Sequence, residues 1–393
     1  MHTQTEQRPI LVTCPKALPP FVRAELEALG LPARELTAGV ETRGDMATCM
    51  RLNLALRTGH RVLFELARLR AEDPAALGRE LGTLPWEDII PVDGHLTVDS
   101  SVQNDFVRDG RFANQKAKDA IVDRIQAQEG RRPDSGPEPV GACVFLHWRG
   151  ADVTVYLDTT GAPLPRRGYR KMPHKAPLQE SLAAGIILAT GWNAQAEHFL
   201  SPMCGSGTLA IEAALLGLRR APGLLRPDFA FRHLIGFDEA AYEALRRELH
   251  AQARKTLPCR ILASDSDPAA VEAARQNART AGVEEHIELS VADFRETLVP
   301  EGPGVCALNP EYGERMGDTE QLAETYAAIG DFFKQRLSGW RGYVFTGNSE
   351  LAKRVGLRPK RRIPFYNAKI ECRLLEFELY QGTRRQPREP REE

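Results

Sequence analysis

At 393 residues the chain is too long for one ordinary domain and predicts two or three, each able to bury its own core. Its 52 basic and 53 acidic side chains leave a formal net charge of -1, so no global basic field marks a polyanion binder, although Arg-rich segments leave room for a local basic face. Seven scattered cysteines, never in Cys-x-x-Cys spacing, argue against a zinc site or disulfide framework and fit a reducing cytoplasm; no apolar run spans a bilayer, and Met1 to Arg8 lacks signal-peptide order.

Ile10 to Thr13 reads as a strand and Lys16 to Leu29 as an amphipathic helix, with Phe21, Val22, Leu26 and Leu29 on one face before a Gly30 stop. Val40 to Arg43 suits a short strand, Met46 to Leu56 a helix and Val62 to Leu69 another strand, and the run resembles a small ferredoxin-like unit of β-α-β-β-α-β order. A second block follows, with a helix over Asp73 to Leu81 and an alternating strand over His95 to Asp99. Asn114 to Gln128 is the clearest helix there, burying Ala117, Ala120, Ile121 and Ile125. Lys116, Lys118 and Arg124 occupy its other positions, and Arg108 and Arg111 precede it; each reads as solvated charge ahead of RNA contact. Ala142 to Trp148 and Asp152 to Leu157 form a hairpin, and the aperiodic Gly/Pro/Arg-rich run Gly161 to Pro177 marks a boundary.

From Gln179 onward helices alternate with apolar strands, which predicts a mostly parallel sheet. The strands are Glu197 to Leu200, Arg260 to Ala263, Ile287 to Ser290, Val305 to Leu308, Gly342 to Thr346 and Ile370 to Tyr380. The helices are Thr208 to Leu216, Pro268 to Ala281 and Thr319 to Leu337. The last strand and a partner near Arg361 to Phe365 suit an antiparallel edge. The charged tail Arg384 to Glu393 reads as disordered.

The ends of four of these strands carry the chemistry. Ser201-Pro202-Met203-Cys204-Gly205-Ser206-Gly207-Thr208 is a Gly-rich turn opening a helix, where Gly205 and Gly207 let backbone approach a ligand. In Ser264-Asp265-Ser266-Asp267-Pro268, Asp265 suits the two hydroxyls of a ribose and Asp267 the helix cap. In Asp293-Phe294 an acidic side chain stands beside an aromatic wall and can take an adenine amino group. The fourth strand breaks into Asn309-Pro310-Glu311-Tyr312, a side-chain carbonyl, a rigid backbone carbonyl and a flat ring on which a base can stack. The acidic residue lies farther from the glycines than in the dinucleotide fingerprint, because a long helical and Arg-rich insertion, Leu216 to Pro258, intervenes, and no nucleoside-triphosphate loop is present. Adenosine without a phosphate cradle points to S-adenosylmethionine. The histidines lack metal-ligand spacing, Cys204 reads as a small packed residue, and the Arg166-Arg167, Arg219-Arg220 and Lys360-Arg361-Arg362 clusters read as solvated faces.

These segments, with Asn114 to Asp123, Arg166-Arg167-Gly168-Tyr169-Arg170 and Ala176-Pro177-Leu178-Gln179-Glu180, resemble the THUMP-domain class I RNA methyltransferases, close to the guanine-N2 branch acting on large-subunit rRNA. The resemblance implies a Rossmann-like α/β methyltransferase domain over residues 179–381. A ferredoxin-like module (1–65), a THUMP RNA-binding module (66–160) and a linker (161–178) precede it, and a tail (382–393) follows. It implies a cytoplasmic enzyme acting on rRNA or tRNA, with Asn309, Pro310 and Tyr312 at the reacting amine and the Ser201 to Thr208 turn, Asp265, Ser266, Asp293, Phe294 and Asn309 at the cofactor. Glu311, Lys116 and Arg170 are carried as substrate contacts; Glu314 and Arg315 either pair locally or touch the target nucleotide. The family usually has Asp where this chain has Ser201, and a second Pro where it has Glu311. A DNA adenine-N6 methyltransferase and a non-catalytic RNA-binding protein are the competing readings.

Overall fold

Caps and alternation decide the first elements of the structure, a computed structural model that describes residues 5–107, 109–172, 178–312 and 319–380. After β1 (Arg8–Thr13), α1 (Pro19–Ala28) begins on a proline whose missing N–H is not needed in a first turn. The expected start at Lys16 is too early, because Ala17 sits in the left-handed region with φ 68°. β2 (Arg34–Leu36) is exposed along its length and pairs antiparallel with β3 (Gly39–Gly44). α2 (Met46–Ala55) starts in a reciprocal box, Asp45 accepting from the Thr48 N–H and the Thr48 hydroxyl from the Asp45 N–H. With β4 (Arg61–Arg70) this completes the β-α-β-β-α-β order.

α3 (Pro74–Leu81), β5 (His95–Gln103), α4 (Gly110–Glu129), β6 (Asp134–Ser135), β7 (Ala142–Arg149) and β8 (Asp152–Asp158) follow. All eight strands join one sheet in the order β2-β3-β1-β4-β8-β7-β5-β6. The join is β4 against β8, antiparallel, with a register shift between Glu65 and Ala67, so the expected boundary at residues 65 and 66 falls inside a continuous strand.

The remaining elements are α5 (Glu180–Thr190), β9 (His198–Pro202), α6 (Thr208–Gly217), α7 (Glu239–Ala251), β10 (Ile261–Asp265), α8 (Pro268–Thr280) and β11 (Glu288–Val291). After them come β12 (Gly304–Leu308), α9 (Thr319–Arg336), β13 (Arg341–Thr346), α10 (Ser349–Arg354), β14 (Arg361–Asn367) and β15 (Ile370–Glu378). The chain divides into two units. Met1–Lys171, Leu178–Gly185 and Leu218–Lys255 make the first, and Met172–Pro177, Ile186–Gly217 and Thr256–Glu393 the second. Among the described residues no helix is long and apolar enough to cross a membrane.

In the first unit, the insertion between α6 and β10 shares a core with the eight-stranded sheet: Phe229, Phe231, Tyr242, Leu245 and Leu249 cluster with Val12, Phe64 and Trp148. Arg226 fastens it, donating to the carbonyls of Pro163 (2.8 Å), Arg166 (3.1 Å) and Ala162, with its guanidinium 4.8 Å above the Phe229 ring. Residues 161–171, expected to link domains, are packed: Leu164, Arg167 and Tyr169 are each 1% exposed. Arg167 is therefore not part of a solvated face; it donates to the carbonyls of Leu164 (3.2 Å) and Arg57 (2.6 Å). The expected disordered tail lies outside the described residues.

In the second unit the sheet order is β11-β10-β9-β12-β13-β15-β14. β9 pairs parallel with β10 and β12, whereas β15 runs antiparallel to both β13 and β14. Phe332 and Phe333 of α9 meet Leu200, Leu262, Cys306, Leu308 and Val344 in one core. The chain leaves β9 in one direction toward β11, then returns to β12 on the other side of β9. Right-handed crossovers therefore put α6 and α8 on the face opposite α9 and open a crevice at the carboxyl ends of β9 and β12.

Candidate active site

The crevice at this switch point is lined by the turn after β9 and the loop after β12. Buried strands deliver both, since Phe199, Leu200, Val305 and Cys306 are fully enclosed and hold the polar residues that follow at fixed heights.

The turn is held from below by its neighbours. Cys204 N–H donates to the Ser264 carbonyl at 2.8 Å and Gly205 N–H to Asp265 Oδ2 at 2.9 Å. Met203, Gly205 and Gly207 all have positive φ (63°, 53° and 83°), and Gly207 N–H closes the turn on the Cys204 carbonyl at 2.9 Å. A Cβ on Gly205 would meet nothing within 4 Å, whereas one on Gly207 would stand 2.8 Å from the Ala274 Cβ of α8. Gly205 thus borders open space and Gly207 permits helix contact. The fully buried Asn277, also on α8, donates to the Ser206 carbonyl (3.1 Å) and the Met172 carbonyl (3.0 Å) and accepts from Met172 N–H (3.1 Å). Nothing in the sequence marked Asn277, because a polar residue in a helix reads as solvent-facing until its neighbours are known. Ser201 is buried in β9 opposite Ala263, and Pro202 and Thr208 are buried beside it. Burial pushes the Cys204 thiol up to about 12, so it is a packed thiol and not a nucleophile.

Asp265, expected at a ribose, is engaged within the protein. Oδ2 holds Gly205 N–H and Oδ1 holds Asp267 N–H at 3.1 Å, leaving about half of a carboxylate's roughly four acceptor positions for a ligand. Asp267 caps α8 through Ala269 N–H (2.8 Å), and Ser266 is exposed. At the end of β11, Asp293 accepts from Arg295 three times, from its N–H (2.9 Å), Nε (2.8 Å) and Nη2 (2.7 Å). That hydrogen bonding holds the carboxyl below its ordinary range. Phe294 is not an open wall: it is 8% exposed, with its ring 5.9 Å from Phe332 at 89°. Val291, 54% exposed, is the apolar side chain the strand end presents.

In the loop after β12, Asn309 Oδ1 is buried and has no hydrogen-bond partner among the described residues. Pro310 is buried and Glu311 exposed. The Tyr312 hydroxyl accepts from Asn367 Nδ2 at 2.8 Å, and its ring stands edge to face with Phe345 at 6.4 Å and 76°. Burial pushes the Tyr312 phenol up to about 12, so it is neutral at physiological pH.

The ends of β9, β10, β11 and β12 bring the predicted cofactor and amine residues onto one edge of one sheet. Lys116 and Arg170 belong to the first unit. Lys116 is exposed with its ammonium 5.7 Å from the Phe112 ring centroid; Arg170 donates to the Leu178 carbonyl (2.6 Å) and pairs with Glu180 at 3.3 Å. Glu314 and Arg315 lie outside the described residues. Lys360 and Arg361 are not a free basic face, since they pair with Glu378 and Glu376.

Residues 167–376 match the family model described as RMKL-like, methyltransferase domain, and residues 9–63 the one described as RlmL ferredoxin-like domain. A ribosomal RNA large subunit methyltransferase K/L of Syntrophotalea carbinolica is 39% identical over 93% of this chain and 53% of its own length. The chain thus spans about half the length of the K/L relatives it matches. A Synechocystis sp. protein whose name assigns it, provisionally, to the RNA methyltransferases is 34% identical over 95% of this chain and 97% of its own. A crystal structure named provisionally as a methyltransferase complexed with SAH superposes with a TM-score of 0.86 at 29% identity, covering 96% of this chain and all of the other.

Proposed function

The chain belongs to the RMKL-like methyltransferase family, and from that premise we propose that it methylates the exocyclic N2 of a guanosine in large-subunit ribosomal RNA, with S-adenosylmethionine as donor. The observation that carries the reading is Asn309 Oδ1, a buried acceptor without a partner among the described residues, at the switch-point crevice. A buried acceptor left unpaired costs about 1–3 kcal/mol, which a ligand N–H recovers. Gly205 with open space beside it and Asp265 with acceptor capacity to spare suit the adenosine of such a donor.

The donor supplies an electrophilic methyl group. The chain's part is to hold the nucleophile. A guanine amine has its nitrogen lone pair delocalised into the ring and needs orientation more than deprotonation. Asn309 Oδ1 and the Pro310 carbonyl each accept one amine N–H, which aims the lone pair and stabilises the charge that grows on nitrogen. Tyr312, neutral and braced from behind, offers ring surface to a base presented outside a helix. Glu311 leaves these atoms in place and adds an exposed negative charge, while Ser201 lacks the carboxylate usual there; both depart from the family pattern without removing the amine-holding pair. An rRNA substrate, such as the name of the K/L relatives states for them, supports a cytoplasmic site of action.

Labelled-methyl transfer to RNA from cells lacking the gene tests this. The expected product is N2-methylguanosine in 23S rRNA. Asn309→Ala is expected to lower kcat by roughly 10²–10³-fold with RNA affinity within about twofold. Transfer to tRNA alone, N6-methyladenine in DNA, or an Asn309→Ala enzyme at full turnover would refute the assignment.

A further inference from the structure

The partner of the Tyr312 hydroxyl is Asn367, the last residue of β14, 55 positions downstream. The tip joining β14 to β15 consists of Ala368 and Lys369, flanked by the pair Asn367 and Ile370, and Ala368 is held at φ 54°. A two-residue hairpin turn with a left-handed non-glycine residue is a costly way to connect two strands, and it fixes where Asn367 points. The rest of the surround is equally specific. At Gly347, directly after β13, an added Cβ would come within 3.2 Å of Tyr312 Cε2, 2.9 Å of Ile370 Cγ2 and 3.3 Å of Cys372 Sγ, so the glycine leaves room that a side chain would take from the ring and its neighbours. Behind it the edge-to-face chain continues from Phe345 to Phe365, at 6.2 Å and 70°. A stacking ring needs nothing at its hydroxyl, and a half-buried tyrosine can leave its hydroxyl to water. Here a dedicated donor from the antiparallel edge of the sheet reaches that atom instead.

We propose that Asn367 is a positioning residue of the methyl transfer: its donation to the Tyr312 hydroxyl sets the plane of the ring against which the target base lies. The inference rests on the function proposed above and assigns Asn367 a role that acts wholly through Tyr312. Because the loop from Asn309 to Tyr312 is one short segment, a ring free to tilt also loosens the base relative to Asn309. Small misplacements of a held nucleophile are amplified in rate, since about 1 Å can cost on the order of a hundredfold.

The test compares Asn367→Ala, Tyr312→Phe and the double variant by steady-state methylation of 23S rRNA, with calorimetric binding of S-adenosylhomocysteine alongside. Both single variants are expected to lose about tenfold in kcat with cofactor affinity unchanged within about twofold, and the double variant to lose no more than either. Asn367→Asp, which still offers an acceptor to the protonated tyrosine hydroxyl, is expected to keep most of the rate, so the role stays measurable even if the alanine variant folds poorly. Full turnover in Asn367→Ala, losses that multiply in the double variant, or Asn367→Asp as slow as Asn367→Ala each overturn the proposal. A wild-type enzyme inert toward every RNA takes down the functional reading itself, whereas an active wild type with an indifferent Asn367→Ala takes down this inference alone.

Discussion

Asn309, Asp265 and Gly207 show how differently single residues of one site were legible. Asn309 could be singled out because a polar residue after a fully apolar run has to do something at a strand end, and its buried Oδ1, without a partner among the described residues, is the physical form of that. Asp265 was legible as a carboxylate at a strand end but not as the acceptor that ties down Gly205, because that bond joins residues 60 apart. Met203 at φ 63° was not legible at all: methionine has no preference for that region, and only the surrounding turn enforces it. The two glycines separate by experiment. Gly207→Ala combines a left-handed φ of 83° with a Cβ 2.8 Å from that of Ala274, and is expected to cost about 2–4 kcal/mol in urea unfolding. Gly205→Ala meets no atom within 4 Å, so only the roughly 1–2 kcal/mol of left-handed strain is expected in stability, with the larger effect on cofactor affinity. Equal stability losses in the two would show that Ala274 yields and that the helix contact is not what Gly207 serves.

Among the elements, the buried parallel strands were the easiest to find, because a strand covered on both faces reads as a continuous apolar run; β12 was expected at Val305 to Leu308 and spans Gly304–Leu308. β2 was missed for the converse reason: Arg34, Glu35 and Leu36 are all exposed and carry no pattern, and only the pairing with β3 makes them a strand. The insertion before β10 was legible as helical and Arg-rich, but its allegiance was not, since membership of a core is decided by contacts across the chain. Arg226 holds it with several carbonyl bonds, and burial lowers its guanidinium to about 10. Arg226→Ala strands those acceptors and is expected to destabilise the protein by about 2–4 kcal/mol in chemical denaturation. Arg226→Lys is expected to recover little, because one ammonium cannot reproduce a planar fork. A loss below about 0.5 kcal/mol would mean that the aromatic contacts of the insertion suffice without the cation.

The whole molecule consists of a first unit built on one eight-stranded sheet and a second unit built on the seven-stranded sheet that carries the site. The order of modules could be read from the change of pattern near Gln179. The continuity of the first sheet could not, because nothing local distinguishes a strand that ends one module from a strand shared by two. With a net charge of -1, the proposed RNA binding would have to come from local basic surface and oriented backbone, not from a field over the whole protein. On the function proposed above, the Asn309 carbonyl, buried and without a partner among the described residues, holds a guanine amine of large-subunit rRNA. Nucleoside mass spectrometry of 23S rRNA, from cells carrying the gene, lacking it, or carrying only Asn309→Ala, tests this most directly. The wild type is expected to contain N2-methylguanosine that both the deletion and the variant lack. An unchanged N2-methylguanosine content in 23S rRNA across the three strains would contradict it.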